Sequence, residues 1–320
     1  MGVITDQAQA LREMVAQSAG VPTVALTKSD INADPRQRTK VAGQALAPAA
    51  PPAPSRRARS IAVASGKGGV GKTSIVTNLA ISLAERKKRV VVLDADLGTA
   101  NVDVLCRLNP ARNLAHAVAG RCQLQQVLTE APGGFSLLPG GSGLASLAAL
   151  SDRGRQQLLD QLAPIEAEAD YLIVDTGAGI GPNVLGFASS VDQLMVVTTP
   201  EPAAVADAYA LIKSVWRRRP RMAIGLLVNM VDDATQARQV YERIDAVCRR
   251  FLQRPIDDAG HLVRDAHVSQ AVCCRRPFML AAPRSEAAGC IAQLTGRVER
   301  QYDVTFEQSF FRRIAGWLAR

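Results

Sequence analysis

The chain has 320 residues, 48% of them hydrophobic and 21% charged, a globular balance that excludes collagen-like, mucin-like and wholly disordered readings. Its 38 Lys and Arg against 29 Asp and Glu leave a net charge of +9, which suits nucleic acid, an anionic membrane or an acidic protein as partner without choosing among them. Six cysteines include no CxxC pair and no His is spaced for zinc, which argues against a structural metal or an iron–sulfur cluster.

The first twenty residues carry Asp6, Arg12 and Glu13 and no continuous apolar stretch, so neither a signal peptide nor a membrane span is expected there. Nowhere do the roughly 18 uncharged apolar residues of a span run together. The expected setting is the cytosol, with reduced thiols. Within residues 1–20, Ala8, Leu11, Met14 and Val15 recur at helical spacing and Asp6 is placed to cap the first turn, giving a short amphipathic helix. Residues 21–58 lose that periodicity. Leu46 to Pro54 is an Ala/Pro tract followed by Arg56, Arg57 and Arg59, the composition of an extended, partly stiff tether.

From residue 59 to about 300 the pattern alternates apolar runs with helical stretches. Ile61 to Ser65, Val90 to Asp94, Phe135 to Pro139, Tyr171 to Asp175, Gln193 to Thr198 and Ala223 to Met230 are the expected strands. Most are continuous Val, Ile and Leu runs, which a sheet buried on both faces requires. Ser74 to Glu85, Gly154 to Ala163 and Ala203 to Trp216 supply helices between them. The predicted fold is therefore α/β, a doubly wound and mainly parallel sheet with helices on both faces.

The first strand runs straight into Gly66-Lys67-Gly68-Gly69-Val70-Gly71-Lys72-Thr73-Ser74, a GxxxxGKT phosphate loop in its required strand–loop–helix context. Glycines let successive N–H groups turn toward one point, and the helix aims its positive end there. Lys72 is placed to reach the β and γ phosphates of a nucleoside triphosphate, and the Thr73 hydroxyl to hold Mg²⁺. Two further strands end in carboxylates. Alternation puts Asp94 and Asp96 on one side of the backbone at the end of one strand, and Asp175 closes another, at the sheet end where α/β folds place ligands.

The string GKGGVGKT, with its extra Lys67, resembles the deviant phosphate loop of the MinD/ParA family of ATPases, and the Asp94–Asp96 and Asp175 segments match that family in order. The resemblance implies a nucleotide-sandwich homodimer in which Lys67 reaches the partner's phosphates. Asp96 would orient the attacking water and contact Mg²⁺ through water, Asp94 would support the loop, and Asp175 would hold Mg²⁺ directly or through water. Gly177 and Gly179 would let the next segment move. Asn229, at the end of Leu226-Leu-Val-Asn229-Met230, resembles the family's adenine-recognising Asn, with the loop around Pro283 completing the pocket. ATP is the expected nucleotide. Thr27-Lys28-Ser29-Asp30 matches the GTPase [NT]KxD by letter but opens a Pro-rich tether, and GTP stays the alternative.

The ends of the chain refine the resemblance. Phe306, Phe310, Phe311, Ile314, Trp317 and Leu318 share one face of a helix within residues 301–320, beside Arg312 and Arg313. Periodicity alone fits equally a helix lying in lipid headgroups and a terminal helix packed on its own domain. MinD-like proteins end in a membrane-targeting helix, which implies the first: an anionic membrane surface, reached from the cytoplasm at the inner face of the cell membrane when ATP is bound. Asp6-Gln7-Ala8-Gln9-Ala10-Leu11-Arg12 matches the DQAxxLR motif of the FlhG (YlxH or FleN) branch, which controls flagellar number and placement. That implies stimulation of the GTPase FlhF through Asp6, Gln7, Leu11 and Arg12, with flagellar C-ring proteins or a flagellar transcription regulator as further partners. The basic clusters Trp216 to Arg221 and Arg275-Arg276 keep a ParA-like partition ATPase on nonspecific DNA as the alternative.

Overall fold

Burial on both faces is what the continuous apolar runs demand, and the sheet delivers it. A computed structural model of the chain describes residues 57–96, 101–140, 152–300 and 308–318. The strands are β1 (Arg59–Ser65), β2 (Val90–Ala95), β3 (Thr129–Glu130), β4 (Ser136–Pro139), β5 (Tyr171–Ala178), β6 (Gln193–Thr198), β7 (Ala223–Val231) and β8 (Asp257–Val263). They form one sheet in the order β3-β4-β2-β5-β1-β6-β7-β8, parallel throughout except for the β3–β4 pair. Every residue of β2 and β6 is buried. The doubly wound, mainly parallel α/β fold read from the sequence is the fold observed.

Two strands were not anticipated. β3 is a two-residue edge pairing, and β8 is an edge strand with Asp257 and Asp258 exposed and Gly260 and His261 half-buried, so no apolar run announces it. The helices are α1 (Lys72–Glu85), α2 (Val102–Leu105), α3 (Leu114–Val118), α4 (Asp152–Glu168), α5 (Pro182–Ser190), α6 (Pro202–Arg218), α7 (Ala234–Leu252), α8 (Ala266–Cys273), α9 (Phe278–Ala281), α10 (Glu286–Arg300) and α11 (Phe310–Leu318). α10 packs on α1 and β8, while α5, α6 and α7 lie against β5, β6 and β7. No helix among the described residues is long and apolar enough to cross a membrane.

Register fixes the site. Asp94 of β2 stands opposite Asp175 of β5, which in turn stands opposite Val63 of β1, three residues before Gly66 of the phosphate loop. The three strand ends that carry the chemistry are therefore adjacent at the carboxyl edge of the sheet.

Candidate functional site

The phosphate loop is shaped by glycines that have no substitute. Gly69 and Gly71 hold φ of 78° and 90°, the left-handed region that other residues enter only under strain. A Cβ on Gly71 would also lie 2.5 Å from Asn229 Nδ2, and one on Gly66 would lie 2.2 Å from the carbonyl oxygen of Asp207 on α6. Gly71 is the N-cap of α1, so Lys72, Thr73 and Ser74 form the helix's first turn, where backbone N–H groups and the macrodipole favour an anion. Ser65 Oγ donates to Lys67 O at 2.6 Å, and Val70 is buried behind the loop. Gly68 faces Ala178 at the end of β5.

Charge converges beneath the loop. Lys72 is buried, and burial pulls its ammonium below the ordinary lysine range against the opposing attraction of Asp175 and Asp96. Asp175 is 1% exposed. Burial is the main cause that pushes its carboxyl up to about 7; the Thr73 hydroxyl and Lys72 pull it down, while Asp94 and Asp96 push it further up. Neither Asp175 oxygen completes a hydrogen bond, and Ser74 Oγ beside the loop has no partner either. A buried carboxylate with two orphaned oxygens, next to an ammonium and two helix-turn hydroxyls, fits a divalent cation, the partner its hydrogen-bond inventory lacks.

Asp94 differs from Asp175 in being saturated. Its Oδ1 accepts from Asp96 N at 3.2 Å, and its Oδ2 from Asn101 N at 3.1 Å and Val102 N at 3.3 Å. It thus clamps both ends of the short segment between β2 and α2. Burial pushes its carboxyl up to about 6 while those three N–H groups pull the other way and Asp103 adds repulsion. Asp96 Oδ1 lies 3.4 Å from where a Gly177 Cβ would sit, which places its carboxylate against the end of β5.

The structure brings Gly66 to Ser74, Asp96 and Asp175 together but gives two predicted residues other company. Asn229, expected to face adenine, donates from Nδ2 to Val70 O at 2.8 Å and accepts from Met230 N at 2.8 Å, buried under the phosphate loop. Its amide props the loop's backbone. Lys67, expected to reach across to a partner copy, pairs within its own chain with Glu201 at 2.6 Å. Glu201 sits just before α6; no spacing rule marks it, because the pair joins positions 134 residues apart.

The terminal aromatic face is also engaged. Phe310, Phe311 and Ile314 are buried against the domain, where α11 packs on α4 and α5, in place of the open membrane face that the resemblance implies. Trp317 meets Phe187 of α5 with ring centroids 6.2 Å apart and lies over Gly186. Glu166 of α4 accepts from Phe310 N at 2.8 Å, a carboxylate capping the start of α11. Its pKa is raised by burial, against the pull of the Phe310 and Phe311 N–H groups, Arg313 and Arg57. Arg313 reaches Asp192 at 3.0 Å, and Arg57 reaches the same oxygen at 3.4 Å. Phe306 and the N-terminal Asp6, Gln7, Leu11 and Arg12 lie outside the described residues, as does the side chain of Leu318. Of the basic cluster Trp216 to Arg221, Arg219 is spent on the carbonyls of Ser189 and Val191 at the end of α5, and the Trp216 indole donates to Met222 O.

Comparison with known proteins agrees with this geometry. A family model described as ParA: NUBPL iron-transfer P-loop NTPase matches residues 56–298. The chain is 39% identical over 239 residues to the antiactivator FleN of Pseudomonas aeruginosa, covering 75% of this chain and 85% of that protein. It is 34% identical over 269 residues to the flagellum site-determining protein YlxH of Helicobacter pylori, covering 81% and 90%. Among solved structures, the Aquifex aeolicus MinC:MinD cell division protein complex contains a chain matched with a TM-score of 0.63 at 22% identity, over 78% of this chain and 99% of that one. This last likeness speaks to the fold alone.

Proposed function

The chain belongs to the FleN/YlxH branch of the MinD/ParA-type P-loop ATPases and is an ATP hydrolase, and on that premise we propose that it is a nucleotide-operated switch governing flagellar number and placement. In this reading Mg·ATP joins two copies, the terminal helix exchanges its groove for the anionic inner face of the cell membrane, and residues 1–20 stimulate the GTPase FlhF. Flagellar C-ring proteins or a transcription regulator are the further partners. Iron transfer, named in the family model's description, does not suit a chain without a CxxC pair.

One observation carries the reading. α5, whose Gly186 and Phe187 seat Trp317, follows directly on the Asp175 strand through Gly177, Gly179 and Gly181, with Gly179 at φ 96°. The segment that would rearrange with the γ phosphate in this reading is thus joined, without an intervening element, to the helix that seats the terminal helix.

In this reading each residue has a part in hydrolysis. Backbone N–H groups at Gly71 to Thr73 hold phosphate oxygens, and Lys72 adds charge where negative charge develops in the transition state. Asp96, at the mouth of the site, orients the attacking water. Asp175, the Thr73 hydroxyl and, through water, Asp96 would hold Mg²⁺, which would supply charge neutralisation to the phosphates. Lys67 would leave Glu201 for the partner copy's phosphates.

Sedimentation with anionic liposomes under ATP, ADP or no nucleotide tests the switch, comparing the intact chain with one ending at Gln301. ATP-dependent binding lost on truncation is the expected result. Binding that ignores nucleotide, or survives truncation, would overturn it. Adding residues 1–20 to FlhF and following GTP hydrolysis tests the partner.

A further inference from the structure

Two helices away from the phosphate loop end in the same way. α2 and α8 each close with Cys at the C-cap followed by Arg in the left-handed region, Arg107 at φ 53° and Arg275 at φ 49°. The same pair of hydrogen bonds seals both turns. Leu108 N donates to Asp103 O at 2.8 Å and Arg276 N to Ala271 O at 3.0 Å, the wider bond of a Schellman motif. Glycine takes this position without strain, whereas arginine does not. A basic side chain near a helix C-terminus is electrostatically favourable, but that preference is met anywhere in the last turn and does not require the strained position.

Both turns open on one cavity of about 580 Å³. Its rim carries Arg107, Arg275 and Arg276, all exposed, and no acidic residue lines it. None of the three guanidiniums makes an ion pair or hydrogen bond among the described residues. The remaining wall is apolar, with Pro132, Pro277 and Leu280. Val104 and Val272, on the same two helices, are 50% and 46% exposed, two of the few large apolar side chains left to solvent among the described residues. The three arginines, without partners among the described residues, thus ring an apolar depression.

We infer that this cavity is a docking site for an acidic segment of a partner protein, which seats one apolar side chain in the hole and sets its carboxylates against the three arginines. Bidentate guanidinium–carboxylate pairing at the rim and a buried apolar anchor at the centre are the usual division of labour in such contacts. A nucleic-acid surface would need cations spaced along a phosphate track and has no use for the central hole.

The test uses the full chain and fluorescence anisotropy of a labelled short peptide in which glutamates flank one leucine. The control peptide carries serine for leucine, and a mixed-sequence DNA duplex is the third probe. The leucine peptide is expected to bind more tightly than the serine peptide. Joint Arg107→Gly and Arg275→Gly substitution weakens it by about tenfold or more, as loss of two charged partners implies. Because glycine relieves the left-handed backbone, the same variant should keep or raise its Tm, which separates binding from folding. Arg276→Glu, at an ordinary backbone position, should give a similar loss of binding. Equal affinity for the two peptides, undiminished binding by both variants, or a variant-sensitive affinity for DNA with none for the peptide would each overturn the assignment.

Discussion

Gly186 offers the sharpest test of how the terminal helix is held. A Cβ there would lie 2.4 to 2.6 Å from three atoms of the Trp317 indole, where ordinary carbon contacts begin near ~3.5 Å, so Gly186→Ala has to displace the ring by about 1 Å. Displacement weakens the Phe187–Trp317 contact, worth about 0.5–1.5 kcal/mol, and uncovers part of the indole, for a docking loss of about 1–3 kcal/mol. Within α5 itself alanine is favoured over glycine by up to ~1 kcal/mol. The two effects have opposite signs: the domain should hold or gain thermal stability while α11 loosens, its docking equilibrium constant falling by roughly 5- to 150-fold. The chain has two tryptophans, so a Trp216→Phe background leaves Trp317 as sole reporter. Its emission should shift red and its quenching by acrylamide increase, with liposome binding appearing without nucleotide. Unchanged emission and quenching would refute the reasoning, and release accompanied by a large fall in Tm would make α11 a structural prop.

Other residues give further expectations. Asp192→Asn removes the charge that Arg57 and Arg313 share and should expose Trp317 as Gly186→Ala does; acrylamide quenching in the same background measures it. Gly71→Ala combines a φ of 90° with a Cβ 2.5 Å from Asn229 and should cost more than the ~1–2 kcal/mol of left-handed strain; calorimetric titration with ATP should show binding lost or weakened by about tenfold or more. Lys67–Glu201 is an exposed pair worth about 0.2–1 kcal/mol, so Glu201→Gln should strengthen ATP-dependent self-association by up to ~5-fold in sedimentation velocity. Asp94 titrates near 6 in the folded chain against an ordinary 3.8, so the folded state binds the proton more tightly. Its effect is absent below pH 4 and costs about 3 kcal/mol above pH 6, so thermal stability should rise as pH falls through that window and Asp94→Asn should flatten the rise.

What the sequence discloses follows the range of the interactions involved. The phosphate loop is legible because backbone geometry dictates its residue types over nine consecutive positions, and β1, β2, β5, β6 and β7 because burial on both faces writes apolar runs. β8 is silent, since an edge strand with polar Asp257, Asp258 and His261 satisfies the sheet through one neighbour only. Glu201, Asp192 and Glu166 are equally silent. Their partners Lys67, Arg313 and Phe310 lie 134, 121 and 144 positions away, and no local pattern encodes such a pair. The aromatic face of α11 is visible as a face, but helical periodicity is the same against lipid or protein, so only the packing reveals the α4–α5 groove. For Asn229 the strand end is legible, whereas the direction of its amide depends on the Val70 carbonyl, which only the folded loop supplies.

The buried carboxylates divide into two kinds, and the division orders the molecule. Asp192 and Glu166 are satisfied by protein donors: Asp192 by Ser60 N and Oγ at 2.8 Å together with Arg57 and Arg313, Glu166 by the first turn of α11. Such groups hold segments in place and gain nothing from a ligand. Asp94 is satisfied by the backbone that follows Asp96, so it too is an anchor. Asp175 alone of these four leaves both oxygens without a hydrogen bond, buried beside Lys72. A site that keeps an unsatisfied buried carboxylate gives up stability that a cation restores, so cation and nucleotide binding are stabilising in proportion to that deficit. Because α5 continues from the same strand, the proposed switch would act where Gly186 and Phe187 meet Trp317, with the free energy released at Asp175 as its source.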